Sequence, residues 1–480
     1  MSIPAPDLDG YHLLEKSGHE QRFYFAEPEG NQTEGLSVTG IGIAAELTTE
    51  PLLDDDGRIV STEENNRFAL IRAQVQDLFA DSTHLIIPNP QTGNVNAATP
   101  EHPARPRLFG GFSFSPEFVP DNTWCVFRPS HFILPHFQLT TRGDEKWLTI
   151  NAFVPAQESP QAVSADLTEA LLTGYEVMRQ HDALGNQSTN KREHPQADIH
   201  YPMSYDQWST MVSNGTAAIE TGDLQKVVLS RAAEVRMAHS IDAVQVLKRL
   251  GNDYANCYRF LFEPLTGQFY LGATPELLTN LEHQSIKTMA LAGSARRGST
   301  TQEDELAAHE LLESAKNRHE HALVVNEVQS RLAGVCTGIT SPSAPSILQL
   351  HNIQHLFTPI SGQIAHDNKV DALSLVELLH PTPAMGGVPV ERAIRFLNNA
   401  EPVPRGWYAA PVGWIDQNLN GTFAVAIRSA VCQYDRAWLY AGAGIVGDSQ
   451  PEREWAETEL KFKPMLEAIT SQSQNTNEQD

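Results

Sequence analysis

The chain has 480 residues, of which 41% are hydrophobic, so it can bury a sizeable core in one large domain or in two or three smaller ones. It carries 34 basic and 59 acidic residues, and the formal net charge of -25 argues against nucleic acid or an anionic membrane surface as a partner. The four cysteines form no C-x-x-C pair, which predicts buried thiols in a reducing compartment and no zinc site; they are Cys125, Cys257, Cys336 and Cys432.

The N-terminal segment MSIPAPDLDG lacks both a basic head and an apolar run. No segment reaches the roughly 18 consecutive apolar residues that a membrane span needs. We therefore expect a cytoplasmic protein without a membrane partner.

The first half of the chain predicts scaffold elements and carries few motifs. Apolar periodicity, turn-forming residues and polar stretches predict, in chain order, an amphipathic helix within Asp54–Ala80, a long surface loop over Pro88–Arg107, strands at Trp124–Phe127 and Trp147–Phe153, and a linker or long loop near 182–204. We expect residues 1–200 to form the N-terminal part of the fold.

The second half alternates helices and strands, and residues 205–468 hold most of the motifs. The predicted elements are helices at Ser204–Glu220, Ile241–Leu250 and Thr301–Leu332, and strands at Val227–Val235, Cys257–Glu263, Gln268–Ala273, Gly406–Asp416, Gly421–Gln433 and Ala437–Ala441. The last strands follow each other too closely for crossover helices, which indicates an α+β fold with mostly antiparallel sheets. Residues 469–480 are polar and are expected to be disordered.

A glycine-rich turn precedes the C-terminal helix in the segment AGAGIVGDSQPEREWAETELKFK, which spans 441–463. Residues three and four apart share a helix face, so Glu454, Glu457 and Lys461 lie together. Such a face offers two carboxylates to a divalent cation and one ammonium to an anion. Taken alone, the pattern is also that of a solvated helix surface.

Lys226 heads an alternating strand and shares a face with Val228 and Ser230. A lysine in such a place is often a surface residue whose stem packs on the strand. If desolvation or a nearby cation held its amine neutral, it could serve as a general base.

Glu276 follows a strand in the segment LGATPELL. A general acid must hold a proton near neutral pH, so the pKa of this carboxyl would have to be raised by burial among apolar neighbours such as Leu271 and Leu277. An exposed glutamate in a turn is the alternative.

The segment LAGSARR, 291–297, combines small residues with two arginines. Gly293 and Ser294 would let backbone amides approach an anion closely. Phosphate is a weaker alternative, because neither a P-loop nor a G-x-G-x-x-G pattern is present.

Several of these segments together resemble the chorismate-utilising enzymes, and most closely the isochorismate synthases. The resemblance covers about Tyr205 to Leu466 and rests on LQKVVLSR (224–231), ATPELL, LAGSARR, SAKNRHEH (314–321), HPTPAMGG (380–387) and the segment from 441. It implies a single large fold of two stacked, mostly antiparallel β-sheets surrounded by helices, with the N-terminal region forming part of that fold. It also implies chorismate as the substrate.

The resemblance assigns roles to single residues. Lys226 would activate the attacking water, and Glu276 would protonate the departing hydroxyl. A magnesium ion would be held by Glu320 and Glu457, with Glu454 behind them or bound through water. The substrate would be contacted by Gly293, Ser294, His355, Ala384, Tyr408, Arg428, Gly442, Gly444 and Lys461.

The negative charges of the protein and of the substrate make a bound cation important for substrate binding. Chorismate is a dianion, and a protein with a net charge of -25 repels it unless positive charge is concentrated in the pocket. We therefore expect Mg²⁺ to be obligatory for substrate binding. The sequence departs from the family at Asn317, where relatives carry an acidic residue. This change is expected to weaken metal binding, either at the site itself or through the residues that hold its ligands in place.

Residues at two positions limit which of the family's reactions this chain is expected to catalyse. Relatives that use ammonia with a glutamine amidotransferase subunit, the anthranilate and aminodeoxychorismate synthases, lack the lysine at Lys226, so no such subunit is expected. Salicylate synthases tend to carry threonine at the place of Ala384. A chorismate-binding paralogue without activity is the third alternative. The product would serve menaquinone or catecholate siderophore synthesis, and only the chain length favours menaquinone. We expect the protein to be a monomer or weak dimer.

Overall fold

The computed structural model describes residues 1–29, 35–51, 66–88, 95–154, 158–182, 197–365 and 369–470. These residues form ten helices: α1 Gly10–Lys16, α2 Arg67–Phe79, α3 Pro160–Asp182, α4 Tyr205–Glu220, α5 Ala243–Asp253, α6 Thr301–Glu313, α7 Ala315–Leu332, α8 Ala372–Leu379, α9 Val390–Ala400 and α10 Pro451–Thr470. None of these helices has both the length and the apolar character needed to cross a membrane.

The same residues form 22 strands. They are β1 Ser2–Pro4, β2 Arg22–Ala26, β3 Leu36–Thr49, β4 Leu85–Ile86, β5 Asn96–Ala97, β6 Arg107–Phe112, β7 Ser130–Arg142, β8 Glu145–Ile150, β9 Asp198–His200, β10 Lys226–Arg236, β11 Tyr258–Leu265, β12 Gln268–Thr274, β13 Leu277–Glu282, β14 Ser285–Arg296, β15 Cys336–Thr340, β16 Ser346–Gln349, β17 Ile353–Ile364, β18 Gly387–Val388, β19 Pro411–Asp416, β20 Gly421–Val425, β21 Ser429–Gln433 and β22 Arg436–Ile445.

The strands confirm the α+β class with antiparallel pairing. Hydrogen bonds connect them in the order β10, β22, β21, β12, β11, β2, β3, β7, β6, β19, β20, β13, β14, β17, and every one of these pairs is antiparallel. Hydrogen bonds thus join what the sequence predicts as two stacked sheets. Both ends of the order contribute to one hydrophobic core, since Leu229 of β10 and Ile360 of β17 belong to it.

Strands from the N-terminal region lie in the middle of this order. The strand β2 pairs with β11 over Arg22–Ala26, and β6 pairs with β19 over Arg107–Gly111. The first 150 residues therefore contribute strands to the sheet that carries the motif-bearing strands.

The helix predicted before Ala80 is confirmed as α2, with Phe68, Ile71 and Val75 buried. Its polar lead before residue 66, most of the linker near 182–204 and the tail from 471 lie outside the described residues. The helix α10 continues to Thr470, so the C-terminal helix extends slightly beyond the predicted boundary at 468.

The strand predicted at Trp124–Phe127 is wrong, because these residues form a turn. The side chain of Asp121 accepts hydrogen bonds from the backbone N–H groups of Thr123 and Trp124, at 2.9 Å each. Aspartate side chains stabilise turns in this way. Trp124 and Phe127 are buried at this turn, and the Trp124 indole donates to the Tyr440 hydroxyl at 3.2 Å.

The single helix predicted at Thr301–Leu332 is two helices that meet at Ser314. The backbone of Ser314 is extended, with φ -63° and ψ 112°, and its side chain accepts a hydrogen bond from the Asn317 N–H. Serine is a preferred N-cap, so it begins α7 at the point where α6 ends.

The long strand predicted at Gly421–Gln433 is also divided. It consists of β20 and β21, and the three residues between them end at Arg428, whose φ of 52° is in the left-handed region. The strand predicted from Gly406 begins only at Pro411, after a series of turns. The strand predicted at Trp147–Phe153 corresponds to β8, which ends earlier than predicted, at Ile150.

Candidate active site

All candidate residues except Glu454 line one cavity. They come from well separated parts of the chain and are Lys226, Glu276, Gly293, Ser294, Glu320, His355, Ala384, Tyr408, Arg428, Gly442, Gly444, Glu457 and Lys461. About 530 Å³ of space, including the mouth of the cavity, lies between their side chains. The strands β10, β14, β17 and β22 and the helices α7 and α10 supply most of these residues, and the turns after β12 and before β19 supply Glu276 and Tyr408.

Lys226 and Glu320 form an ion pair in this cavity. The Lys226 ammonium lies 2.8 Å from Oε1 of Glu320, and the two side chains are 1% and 12% exposed. Lys226 is therefore not a surface residue. Burial alone would raise the pKa of Glu320, but the Lys226 charge, with smaller contributions from Lys461 and Lys316, holds this pKa below its usual value. Glu320 is thus an anion directed into the cavity.

Glu276 lies in the same cavity with the opposite protonation behaviour. Burial raises the pKa of Glu276 to about 7, although Lys226 and a hydrogen bond from Thr382 act in the other direction. The Thr382 hydroxyl donates to Oε1 at 3.5 Å, whereas Oε2 is buried and has no hydrogen-bond partner among the described residues. A carboxyl in this state can hold a proton near neutral pH and can donate it to a ligand.

Arg428, His355 and Ser294 form a connected polar group. The Arg428 guanidinium lies 3.4 Å from Nε2 of His355, and Nδ1 of His355 lies 3.0 Å from the Ser294 hydroxyl. Burial, followed by the charges of Arg428 and Lys461, lowers the pKa of His355 well below its usual value. Because arginine only donates, the neutral ring accepts at Nε2 and carries its proton at Nδ1, next to Ser294. Both ring nitrogens are thereby engaged in orienting Arg428 and Ser294.

Tyr408 and Lys461 face the glycine-rich strand β22. The Tyr408 ring stacks on Tyr440, with 5.2 Å between the ring centroids, and burial raises the pKa of Tyr408 to about 12. The phenol therefore remains a hydrogen-bond donor at neutral pH. The Lys461 ammonium donates to the Gly442 carbonyl oxygen at 2.8 Å and lies 2.6 Å from Glu457.

Glu454 is the one candidate that does not line the cavity. Its carboxylate is 3.1 Å from the Lys316 ammonium, and its side chain is 3% exposed. Burial, together with the negative charge of Glu457, raises the pKa of Glu454 in spite of Lys316. Glu454 is therefore buried outside the cavity, about one helical turn before Glu457 on α10.

Two glycines are required by the close packing of this site. A Cβ atom at Gly444 would lie 2.5 Å from Oε1 of Glu320 and 3.1 Å from Cε of Lys226. Gly293 has a φ of 78°, and a Cβ atom there would lie 3.1 Å from Cβ of Asn317. Glycine is the residue that combines a positive φ with so close an approach.

Asn317, the departure from the family pattern, makes its contacts away from the cavity carboxylates. Its side-chain amide donates to the Ser314 hydroxyl at 2.9 Å, at the start of α7. The structure shows no hydrogen bond between Asn317 and Glu320 or Glu457.

Sequence reasoning missed the apolar wall of the cavity and one residue that holds it together. Val228, Leu291, Ala292 and Ile427 line the cavity, and Val228 could have been found because it shares a strand face with Lys226. Arg405 is 5% exposed. It donates to the carbonyl oxygens of Val228 at 2.6 Å and Met385 at 2.9 Å, and so links β10 to the loop of Ala384.

The carboxylates of Glu320 and Glu457 fit a Mg²⁺ ion, which prefers a few carboxylate oxygens and keeps several waters. Both line the cavity, and the space beside Glu320 is kept open by Gly444, where a single added carbon would fill it. Among the described residues, no three His, Cys, Asp or Glu side chains cluster tightly enough to hold a metal. A cation here would therefore depend on water or on a ligand for its remaining contacts.

Comparison with known proteins identifies the class to which this fold and site belong. The model of the chorismate binding enzyme family matches residues 1–470, and the chain belongs to that family.

Two curated relatives and one solved structure are similar over most of the chain. The isochorismate synthase MenF of Bacillus subtilis is 36% identical over 366 residues, which are 76% of this chain and 74% of the relative. The salicylate biosynthesis isochorismate synthase of Pseudomonas aeruginosa is 35% identical over 380 residues, 78% of this chain and 76% of the relative. The menaquinone-specific isochorismate synthase MenF of Escherichia coli has a TM-score of 0.75 at 24% identity, covering 98% of this chain and 94% of that one, and this likeness concerns the fold.

Proposed function

We propose that this protein is an isochorismate synthase, which converts chorismate reversibly to isochorismate by adding water at C2 and releasing the C4 hydroxyl. The proposal depends on the presence of Lys226 and Glu276 in one cavity, because they provide an amine and a carboxyl. The pKa of the Glu276 carboxyl is raised to about 7. Relatives that are named isochorismate synthases, at 36% and 35% identity over most of the chain, support it.

In the proposed reaction, Lys226 takes a proton from the attacking water, and Glu276 gives its proton to the departing hydroxyl. One water is consumed and one is released, so the reaction needs no oxidant or reductant. Lys226 can act as a base only after its ammonium has released a proton to solvent, so the ion pair with Glu320 at 2.8 Å precedes the reactive state. In the return direction the two residues exchange roles.

The rest of the cavity would bind and orient the substrate. Arg428 can donate two parallel hydrogen bonds to a carboxylate. Lys461 and the backbone amides near Gly442 and Gly444 add positive potential, and the Tyr408 hydroxyl can donate to an oxygen. Ala384 and the apolar wall would contact the ring and exclude water from its other face.

We propose Mg²⁺ as the cofactor, held by Glu320 and Glu457, with Glu454 in an outer position. When bound, the cation would neutralise the cavity carboxylates and attract a substrate carboxylate. No glutamine amidotransferase subunit is part of the proposal, because Lys226 provides a base for water.

Two other reactions on the same scaffold are less well supported. Salicylate synthesis would require elimination of pyruvate after isochorismate forms, and the small Ala384 stands where salicylate synthases tend to carry threonine. An ammonia-using synthase would not need the amine of Lys226. We assign the product to menaquinone or catecholate siderophore synthesis.

The test is to incubate the purified protein with chorismate and Mg²⁺ and to identify the products by NMR. Isochorismate in equilibrium with chorismate is the expected result. Salicylate with pyruvate, or an aminated product when ammonium is supplied, would replace the proposal by the corresponding alternative. Chorismate that binds and stays unchanged would indicate a paralogue without activity.

A further inference from the structure

A second cavity adjoins the proposed active site. Ser294 and Glu457 line both cavities, so the two are neighbours across these residues. The second cavity encloses about 1050 Å³ of space, including its mouth, and lies between the end of β14 and one face of α10. On α10, Arg453, Ala456, Leu460 and Lys463 follow each other at helical spacing and line it together.

The charges of this second cavity are unbalanced. Three exposed cations, Arg296, Arg453 and Lys463, line it, and their side chains make no hydrogen bond or ion pair with any other described residue. Its two acidic residues are both paired, Glu457 with Lys461 at 2.6 Å and Glu459 with the buried Arg231. The three cations are therefore the only charges of this lining without a partner among the described residues, on a chain whose formal net charge is -25.

We propose that this second cavity is an entry vestibule that captures the dianionic substrate and delivers it past Ser294 and Glu457 into the active site. Unpaired cations at the rim of a cleft raise the local concentration of an anion and speed its association. A strongly acidic protein needs such a region more than a neutral one does. The inference rests on the proposed function, because the anion is the substrate of that reaction.

The test compares two triple variants that remove the same amount of positive charge. The vestibule variant carries Arg296→Gln, Arg453→Gln and Lys463→Gln. The control variant carries Arg236→Gln, Lys287→Gln and Arg395→Gln, which are exposed cations without a side-chain partner among the described residues and which line neither cavity. Stopped-flow mixing with chorismate and Mg²⁺, followed by tryptophan fluorescence, measures the association rate before turnover.

The vestibule variant is expected to bind chorismate roughly tenfold more slowly than the wild type, while the control variant keeps the wild-type rate. The loss should appear in kcat/KM rather than in kcat. Between about 0.02 M and about 0.5 M NaCl the wild-type rate should fall steeply and the vestibule variant's rate much less, because salt screens exposed charges.

An unchanged rate and salt dependence in the vestibule variant would overturn the proposal, as would an equal loss in both variants, which would reflect net charge alone. A wild-type protein that binds chorismate without forming isochorismate would overturn the proposed function only, since the association rates are measured without turnover. A wild type that does not bind chorismate would overturn both.

Discussion

The Lys226 ammonium lies 2.8 Å from Oε1 of Glu320, so the proposed base and a proposed metal ligand neutralise each other in the cavity. Removing one member of a buried ion pair leaves the other charge without compensation, which is costly. Substitutions that test these residues should therefore keep a hydrogen-bonding group. Glutamine meets this requirement at both positions.

Lys226→Gln is expected to lower kcat by about 10²-fold or more in both directions, the usual contribution of a positioned base or acid. The amide can still donate to Glu320 but does not compensate its charge, so the melting temperature without Mg²⁺ should fall, whereas Mg²⁺ binding should be retained. Rates with chorismate and with isochorismate measure the effect, and Lys287→Gln on the exposed surface is the control. Turnover of chorismate at the wild-type rate by Lys226→Gln would remove Lys226 as the base.

The pKa of Glu276 near 7 predicts opposite pH dependence for the two directions. The forward reaction needs the protonated acid, so this group lowers the forward kcat/KM by about tenfold per pH unit above about 7. The return reaction needs the carboxylate, so the same group lowers its rate below about 7. Profiles of kcat/KM in both directions test this. Glu276→Gln should be slow throughout and should lack both limbs, and a variant that kept them would point to another titrating group.

The same pKa predicts how stability depends on pH. Burial raises the pKa of Glu276 from 4.5 in the unfolded reference to about 7, so the folded state holds this proton more tightly. The resulting stabilisation is full below pH 4.5 and is lost as pH rises through about 7. Between about pH 5 and pH 8 the wild type should lose about 2 to 3 kcal/mol of unfolding free energy relative to Glu276→Gln. Urea unfolding at both pH values measures this difference, and parallel pH profiles would contradict it.

Glu320→Gln and Glu457→Gln are each expected to abolish Mg²⁺-dependent chorismate binding, because each removes a carboxylate from the proposed cation site. Calorimetry with and without Mg²⁺ measures the loss directly. Glu327→Gln is a suitable control, since Glu327 lies on the same helix as Glu320 and pairs with Arg331 at 3.0 Å. Unchanged metal dependence in both site variants would place the cation elsewhere.

Local sequence patterns predicted most elements, and together with the family resemblance they supplied most of the residues that line the cavity. The alternation in β10 placed Lys226 and Val228 on one face, and both line the cavity. The family resemblance supplied residues such as His355 and Arg428, whose positions no periodicity reveals. Glu454 was included among the metal candidates because helix spacing places it on one face with Glu457. Spacing does not reveal which carboxylate of that face will form an ion pair with a neighbouring lysine.

The incorrect predictions came from competition between local signals. Trp124–Phe127 is apolar and was expected to be a strand, but Asp121 stabilises a turn there through its side chain. The interval 301–332 has continuous helical character, and the break at Ser314 depends on a cap that a single serine provides. The pairing of Lys226 with Glu320 joins residues far apart in the chain, so only the three-dimensional structure reveals it.

Gly444 offers a test of the site that leaves every polar group in place. In Gly444→Ala the new Cβ atom would lie 2.5 Å from Oε1 of Glu320 and 3.1 Å from Cε of Lys226, so both side chains must move. A displacement of about 1 Å in a catalytic arrangement can cost about 10²-fold in rate, and we expect a loss of this size in kcat/KM together with weaker Mg²⁺-dependent chorismate binding. Gly447→Ala is the matched control, because its Cβ atom would meet nothing closer than Cγ2 of Ile219 at 3.8 Å. Wild-type kinetics and metal binding in Gly444→Ala would mean that the exact position of Glu320 is unimportant, and equal losses in both variants would point to a general effect on the segment after β22.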